Sequence, residues 1–211
     1  MSIAAVIPAY NEQQTIGVVL ETLLSCALIA EIIVVSDGST DATVQVAERY
    51  PVKVIALEEN VGKGGAMKVG ANHTTCSILL FLDADLVGLK CQHIEALLEP
   101  VLSNRTAMSI GVFSDGRRST DLAQKIAPSL SGQRAVKKEL FDAVPKLEHS
   151  RFGVEVALTQ YAERHDIDIV RVPLPSLSQV MKEEKRGLVH GFCARMEMYW
   201  DIVRSMLSNK N

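Results

Sequence analysis

No stretch of the sequence approaches the roughly 20 apolar residues that a bilayer-spanning helix needs. The richest, Ile16 to Val35, is cut by Glu21 and Glu31 and reads as a helix followed by a strand. An excess of one charge is also missing: 22 Lys and Arg stand against 25 Asp and Glu, a net charge of −3. Without a global basic field, general binding of nucleic acid is excluded and any anionic ligand must be held locally. Cysteine is scarce, and Cys26, Cys76, Cys91 and Cys193 show neither a CxxC nor a paired zinc spacing. They read as reduced, mostly buried thiols of a cytoplasmic protein. The opening Met-Ser-Ile-Ala-Ala-Val lacks a basic region and a long apolar core, so it reads as a first strand and not as a signal peptide. No internal repeat or low-complexity linker appears. A chain of 211 residues with 47% apolar content suits one domain with a full core.

What is present, up to about residue 113, is regular alternation between short β-branched runs and longer amphipathic ones. Ile3 to Ile7, Ile32 to Val35, Val52 to Ala56, Ile78 to Leu82 and Met108 to Val112 read as strands; Glu12 to Cys26, Asp41 to Glu48, Gly65 to Asn72 and His93 to Leu102 read as helices. Such alternation predicts an α/β fold, a mainly parallel sheet with helices on both faces. Ligands of such sheets sit beyond the carboxyl ends of the strands. Three loops in that position are rich in chemistry: Pro8 to Glu12, Ser36 to Asp41, and Asp83-Ala84-Asp85.

Beyond residue 113 the alternation weakens. Ser114 to Thr120 reads as an exposed loop, and Ser131-Gly132-Gln133-Arg134-Ala135 as the entry to a short helix. Phe152 to Arg164 reads as a longer helix, Ile167 to Val172 as a strand ending at Pro173, and Leu188 to Leu207 as a final helix. Phe192, Met196, Tyr199, Trp200 and Val203 recur there at three- and four-residue intervals. That stripe serves either as core or homodimer contact or as a peripheral membrane contact.

Asp83 and Asp85 share a face if the chain stays extended. Two carboxylates so close repel unless protons or a cation neutralise them, and Mg²⁺ or Mn²⁺ is the economical cation for oxygen ligands. The plainer alternative is a pair of solvated or capping acids in a turn. Asn60 to Ala66 is a glycine-rich turn opening a helix, whose N–H groups and Lys63 suit a phosphate, or which simply packs tightly. It lacks the GxxxxGK[ST] order of a P-loop, and no GxGxxG follows the first strand, which argues against a dinucleotide oxidoreductase.

Taken in order, Pro8-Ala9-Tyr10-Asn11-Glu12, Ser36-Asp37-Gly38-Ser39-Thr40-Asp41, Asn60-Val61-Gly62-Lys63-Gly64 and Asp83-Ala84-Asp85 resemble the nucleotide-sugar-binding half of the family-2 glycosyltransferases, whose Rossmann-like fold is called GT-A. The resemblance implies that Pro8, Ala9, Tyr10 and Glu12 contact base and ribose, and that Asp37 hydrogen-bonds the base. Lys63 would lie near base or diphosphate, Asp85 would be the principal metal ligand, and Asp83, beside Ala84, would face ribose or metal. Ser131 to Ala135 and Phe152-Gly153-Val154-Glu155 resemble acceptor-side segments of polyprenyl-phosphate sugar transferases and glucosyl-3-phosphoglycerate synthases. Gly132, Arg134 and Glu155 are then the acceptor-side residues, with Glu155 as acceptor ligand or general base. His190 stands where several relatives complete the metal site, or caps a helix.

The resemblance divides one domain, 1–211, into a nucleotide-sugar half, 1–113, and an acceptor half, 114–211. It implies transfer of one sugar from a UDP- or GDP-sugar to a phosphorylated small molecule or polyprenyl phosphate. No QxxRW segment is present, so a single transfer is expected and not polymerisation. The rival readings are a sugar nucleotidyltransferase, whose arginine-bearing glycine-rich opening is absent, and a nucleotide-sugar-binding module without turnover.

Overall fold

The computed structural model describes residues 1–113, 131–145, 147 and 153–179. Strict alternation in strand β1 (Ile3–Ala9) sets the architecture. Ile3, Ala5, Ile7 and Ala9 enter one core and Ala4 and Val6 enter another, so the strand is buried on both faces. Burial on both faces is the condition of a central parallel strand. Strands β2 (Glu31–Asp37), β3 (Lys53–Leu57) and β4 (Ile78–Phe81) join it in parallel. A short strand, β5 (Leu86–Val87), follows β4 outside this sheet. Strands β6 (Met108–Phe113), β7 (Arg134–Lys137) and β8 (Ile169–Leu174) complete the sheet in the order β3-β2-β1-β4-β7-β6-β8, with β7 alone running antiparallel. Strand β9 (Ser178–Gln179) pairs with β5 in a separate two-stranded ribbon.

Helices α1 (Ile16–Leu24), α2 (Thr43–Ala47), α3 (Lys63–Asn72), α4 (Cys91–Leu102), α5 (Lys138–Ala143) and α6 (Val154–Arg164) cover both faces. Helices α1 and α4 bury Val19, Leu20, Leu97 and Leu98 against one face; α3, α5 and α6 bury Met67, Phe141 and Leu158 against the other. The expected α/β fold is therefore present, and the carboxyl ends of β1, β2 and β4 lie side by side.

Four local expectations need correction. Ser131 to Ala135 does not enter a helix: it leads into β7, where pairing with β4 and β6 overrides local preference. Helix α1 begins at Ile16 and not at Glu12, because Asn11 adopts a left-handed φ of 57° and the Glu12 and Gln13 N–H groups bond to the loop after β2. Strand β8 runs through Pro173 to Leu174; it lies at the sheet edge, where a missing N–H is tolerated. Cys26 and Cys91 are not reduced thiols. They are bonded across 65 residues, Cα atoms 5.6 Å apart, because α1 and α4 pack on the same face. Cys76 is a buried free thiol, and Cys193 lies outside the described residues. No helix among the described residues is long and apolar enough to cross a membrane.

Helix α3 approaches the sheet closely at Gly70, where a Cβ would collide with Val6 Cγ1 and lie 3.2 Å from Val35 Cγ2. Gly70→Ala gains helix propensity of up to about 1 kcal/mol. Overpacking against two central strands costs about 1–3 kcal/mol and wins. Urea unfolding is expected to show a net loss of stability; a more stable variant would contradict this packing.

Candidate active site

The loops after β1 and β2 are laced together by side chain to backbone hydrogen bonds. Asn11 N–H donates to Ser39 Oγ at 3.1 Å, and Thr40 N–H donates back to Asn11 Oδ1 at 2.8 Å. Glu12 N–H donates to Thr43 Oγ1 at 2.8 Å, Gln13 N–H to Asp41 Oδ2 at 3.2 Å, and Ala42 N–H to Gln13 Oε1 at 2.9 Å. Burial alone would raise the Asp41 carboxyl, but bonds from the Thr43 hydroxyl, Thr43 N–H and Gln13 N–H outweigh it and hold it below the usual carboxylate range. This lacing fixes the end of β1, where Ala9 is buried, Pro8 half-buried and Tyr10 39% exposed.

The next loop is pinned by Asp37. Its buried carboxylate accepts from Val61 N–H at 2.7 Å and Gly62 N–H at 3.0 Å, and the Asn60 side-chain amide donates to the Asp37 carbonyl at 3.0 Å. The turn is tight: Gly38 has φ +68°, and a Cβ there would lie 2.7 Å from Asn60 N. Asp37, expected at the base, thus first holds the glycine-rich turn at the end of β2. Gly62, with φ +85°, then releases the chain into α3 at Lys63.

Lys63 lies at the centre of the site. Its Nζ is 2.5 Å from Asp83 Oδ1 and 2.5 Å from Glu155 Oε1. Burial would lower the ammonium, but the two carboxylates outweigh it and hold Lys63 above its ordinary value. For Asp83, burial would raise the carboxyl; Lys63, Gln133 and Gln179 outweigh that and hold it down. Gly132 packs directly on the pair, since a Cβ there would come within 2.5 Å of Lys63 Nζ and both Asp83 oxygens. A side chain at this position would have to displace the ends of Lys63 and Asp83.

Arg134, expected to meet an acceptor, is fully buried. Its Nε donates to Ser131 O at 2.9 Å and its Nη1 to Thr159 Oγ1 at 3.0 Å, so it braces β7 against α6. The cause is the strand's place: β7 lies between β4 and β6 and is covered on both faces, where an exposed helix would have carried the arginine outward. Burial pulls it down to about 10 against the pull of Glu155 and Asp83, so it stays protonated at neutral pH. Glu155 lies in the first turn of α6, 6% exposed, and joins the cluster through Lys63.

Sequence reasoning missed Asn11, Ser39, Asp41 and Thr43 as braces, and Gln133 and Gln179 as partners of Asp83. The first four stand inside or beside recognised motifs, where a capping pattern was the available signal. Gln179 carried none.

The donor set for a metal divides. Asp83 is engaged by Lys63, Gln133 and Gln179, and does not fit a metal while so held. Asp85 is half-buried on the same loop. Among the described residues no three His, Cys, Asp or Glu side chains gather around a metal-sized space. One carboxylate completed by substrate phosphate oxygens does suit Mg²⁺ or Mn²⁺, so Asp85 fits that part. His190 lies outside the described residues.

A family model described as Glycosyl transferase family 2 matches residues 4–170. The chain belongs to glycosyltransferase family 2. A dolichyl-phosphate beta-glucosyltransferase of Drosophila melanogaster is 40% identical over 101 residues, 40% of this chain and 31% of that protein. A 4,4'-diaponeurosporenoate glycosyltransferase of Staphylococcus aureus is 32% identical over 102 residues, 46% of this chain and 27% of that protein. The match thus spans under a third of each of these curated relatives. Among solved structures, glucosyl-3-phosphoglycerate synthase from Mycobacterium tuberculosis in complex with Mn²⁺, UDP-glucose and phosphoglyceric acid aligns with a TM-score of 0.81 and 26% identity, covering 98% of this chain and 79% of that one. The same synthase with Mg²⁺ and UDP aligns with a TM-score of 0.79 and 26% identity, covering 98% of this chain and 78% of that one. The GT-A fold expected of the family is the fold observed.

Two outcomes follow from the ionic contacts. Lys63→Met leaves two neighbouring carboxylates without their cation, and should cost about 3 kcal/mol in urea unfolding, partly recovered by adding Glu155→Gln. Asp41, held low when folded, contributes stability that is complete above its unfolded value of about 3.9 and lost as pH falls through the lower folded value. Asp41→Asn should therefore cost about 0.5–1 kcal/mol at neutral pH, allowing for solvent screening, with the difference from wild type vanishing in acid. A difference that persists at low pH would refute the assignment.

Proposed function

We propose that this chain catalyses a single, metal-dependent transfer of a hexosyl unit from a UDP-sugar to an acceptor bearing a phosphomonoester. The supporting observation is the meeting, beyond the carboxyl ends of β1, β2 and β4, of a braced nucleotide loop, Asp85 and the Lys63–Glu155 pair. Uracil over guanine is favoured because the mycobacterial complexes hold UDP and UDP-glucose.

In this reading Pro8, Ala9, Tyr10 and Glu12 line base and ribose, with Asp37 and the glycine-rich turn closing that side. Asp85 holds Mn²⁺ or Mg²⁺, which supplies Lewis-acid stabilisation of the departing diphosphate when bound. Asp83 orients Lys63, and Lys63 with Glu155 aligns the acceptor against the sugar. Gly132 lets the acceptor-side backbone come close, and Arg134 holds that backbone from behind. An acceptor phosphate is already anionic and needs little general-base help; a hydroxyl acceptor would give its proton to Glu155. The two halves, 1–113 and 114–211, act as one domain.

The acceptor is a small phosphorylated molecule or a polyprenyl phosphate. The mycobacterial synthase holds phosphoglyceric acid, and the Drosophila relative is named for dolichyl phosphate. A lipid acceptor would require peripheral membrane contact, for which the stripe between 188 and 207 is the candidate; the same stripe is the candidate homodimer contact.

The test is UDP release from UDP-glucose with Mn²⁺, offering 3-phosphoglycerate in one arm and polyprenyl phosphate in vesicles in the other. Turnover in one arm names the acceptor class, and Asp85→Ala should abolish it. UDP at 100 times its dissociation constant should raise the melting temperature by about 5 to 11 °C, and the metal-dependent part of that rise should vanish in Asp85→Ala. Pyrophosphate exchange with UTP and glucose 1-phosphate would instead identify a nucleotidyltransferase. UDP binding without transfer or hydrolysis would leave a binding module.

A further inference from the structure

Asp83 is gripped from three parts of the chain. Oδ1 faces Lys63 Nζ at 2.5 Å, while Oδ2 accepts from Gln133 Nε2 at 2.8 Å and from Gln179 Nε2. Gln133 is fully buried beside Gly132, whereas Gln179 is an exposed residue 96 positions from Asp83. The functional reading uses Lys63, Asp83, Asp85 and Glu155 but gives Gln179 no task.

Backbone structure, and not the reach of a surface side chain, brings Gln179 to this place. Leu86, the residue after Asp85, pairs with Gln179, and Val87 pairs with Ser178. The ribbon is anchored by Leu86, Leu89, Leu174 and Leu177, all buried in one core cluster. Its crossing is tight: Gly88 has φ +81° and a Cβ there would lie 2.6 Å from the Ser176 carbonyl oxygen, while Ser176 itself has φ 58°. Strand β9 is thus locked to the loop that carries both acids.

A carboxylate turns easily about its last bond. Held by Lys63 alone, Asp83 could rotate and let the ammonium drift from Glu155. Two amides on Oδ2 fix the carboxylate plane and therefore the direction from which Lys63 is held. The donor type matters too. Lys63 and Arg134 already balance Asp83 and Glu155, and an amide adds a hydrogen bond without adding charge beside Asp85. A glutamate at 179 would instead set acceptor against acceptor.

The geometry points to Gln179 as a positioning residue for sugar transfer: it orients Asp83, and through Asp83 the Lys63–Glu155 pair against which acceptor and sugar are aligned. This rests on the functional reading given above. Gln179→Met keeps the length and removes the donor; Gln179→Glu keeps the shape and reverses the polarity. Steady-state transfer from UDP-glucose, UDP binding with Mn²⁺ and thermal unfolding are measured for each. For Gln179→Met, kcat is expected to fall about 10- to 100-fold, the scale of a lost hydrogen bond to a charged group, and further for Gln179→Glu. UDP affinity should stay at the wild-type value, because the nucleotide loops after β1 and β2 are braced independently, and the melting temperature should fall by no more than the few degrees that one hydrogen bond to a charged group contributes. Unchanged kcat in both variants overturns the positioning role and leaves the functional reading intact. So does a loss of kcat matched by loss of UDP affinity and melting temperature, which marks a strap with only a structural purpose. A wild-type protein that neither transfers nor hydrolyses the sugar nucleotide overturns both.

Discussion

One ammonium group between two carboxylates holds together parts of the chain that are far apart in sequence. Lys63 opens α3, Asp83 follows β4, and Glu155 opens α6. Asp83 and Glu155 are largely withdrawn from water, so without the cation they would repel. With it, each acid has a partner, and the buried Arg134 completes the charge balance from the β7 side. Gly132 packs directly on the pair. The placement of α6 follows from this arrangement: its first turn must face the start of α3.

The first half of the chain was legible because its constraints are local. A central parallel strand must be apolar on both faces and a ligand loop must follow it, so the runs ending at Ala9, Asp37 and Phe81 announce themselves. The second half was not, because its constraints are tertiary. Gln133-Arg134-Ala135 carries no periodicity long enough to separate strand from helix, and only pairing with β4 and β6 decides it. Because β7 lies between two strands and is covered on both faces, Arg134 is buried and braces β7 against α6. The ribbon of β5 and β9, two residues on each side, is below the length at which any pattern is readable. The Cys26–Cys91 bond likewise depends on two helices sharing a sheet face and not on spacing.

Motif residues also divide their labour in a way that composition hides. In Ser36 to Asp41, the Ser39 hydroxyl and the Asp41 carboxylate hold backbone N–H groups of the loop after β1, while Asp37 holds those of the glycine-rich turn. These bonds replace water at donors that the loops would otherwise leave unsatisfied. Much of what makes this stretch recognisable is therefore bracing, which fixes where Tyr10 and Lys63 start.

The two acids that open the question of metal binding end in different environments although one residue separates them. An extended chain would have put both on one face, but β4 stops at Phe81 and the chain turns at Ala84 and Asp85. Asp83 is thereby delivered to Lys63 and the two glutamine amides, and its carboxyl is held low by them against the opposing effect of burial. Asp85 is half-buried at the turn two residues on. Where that strand ends thus decides which of the two acids meets Lys63.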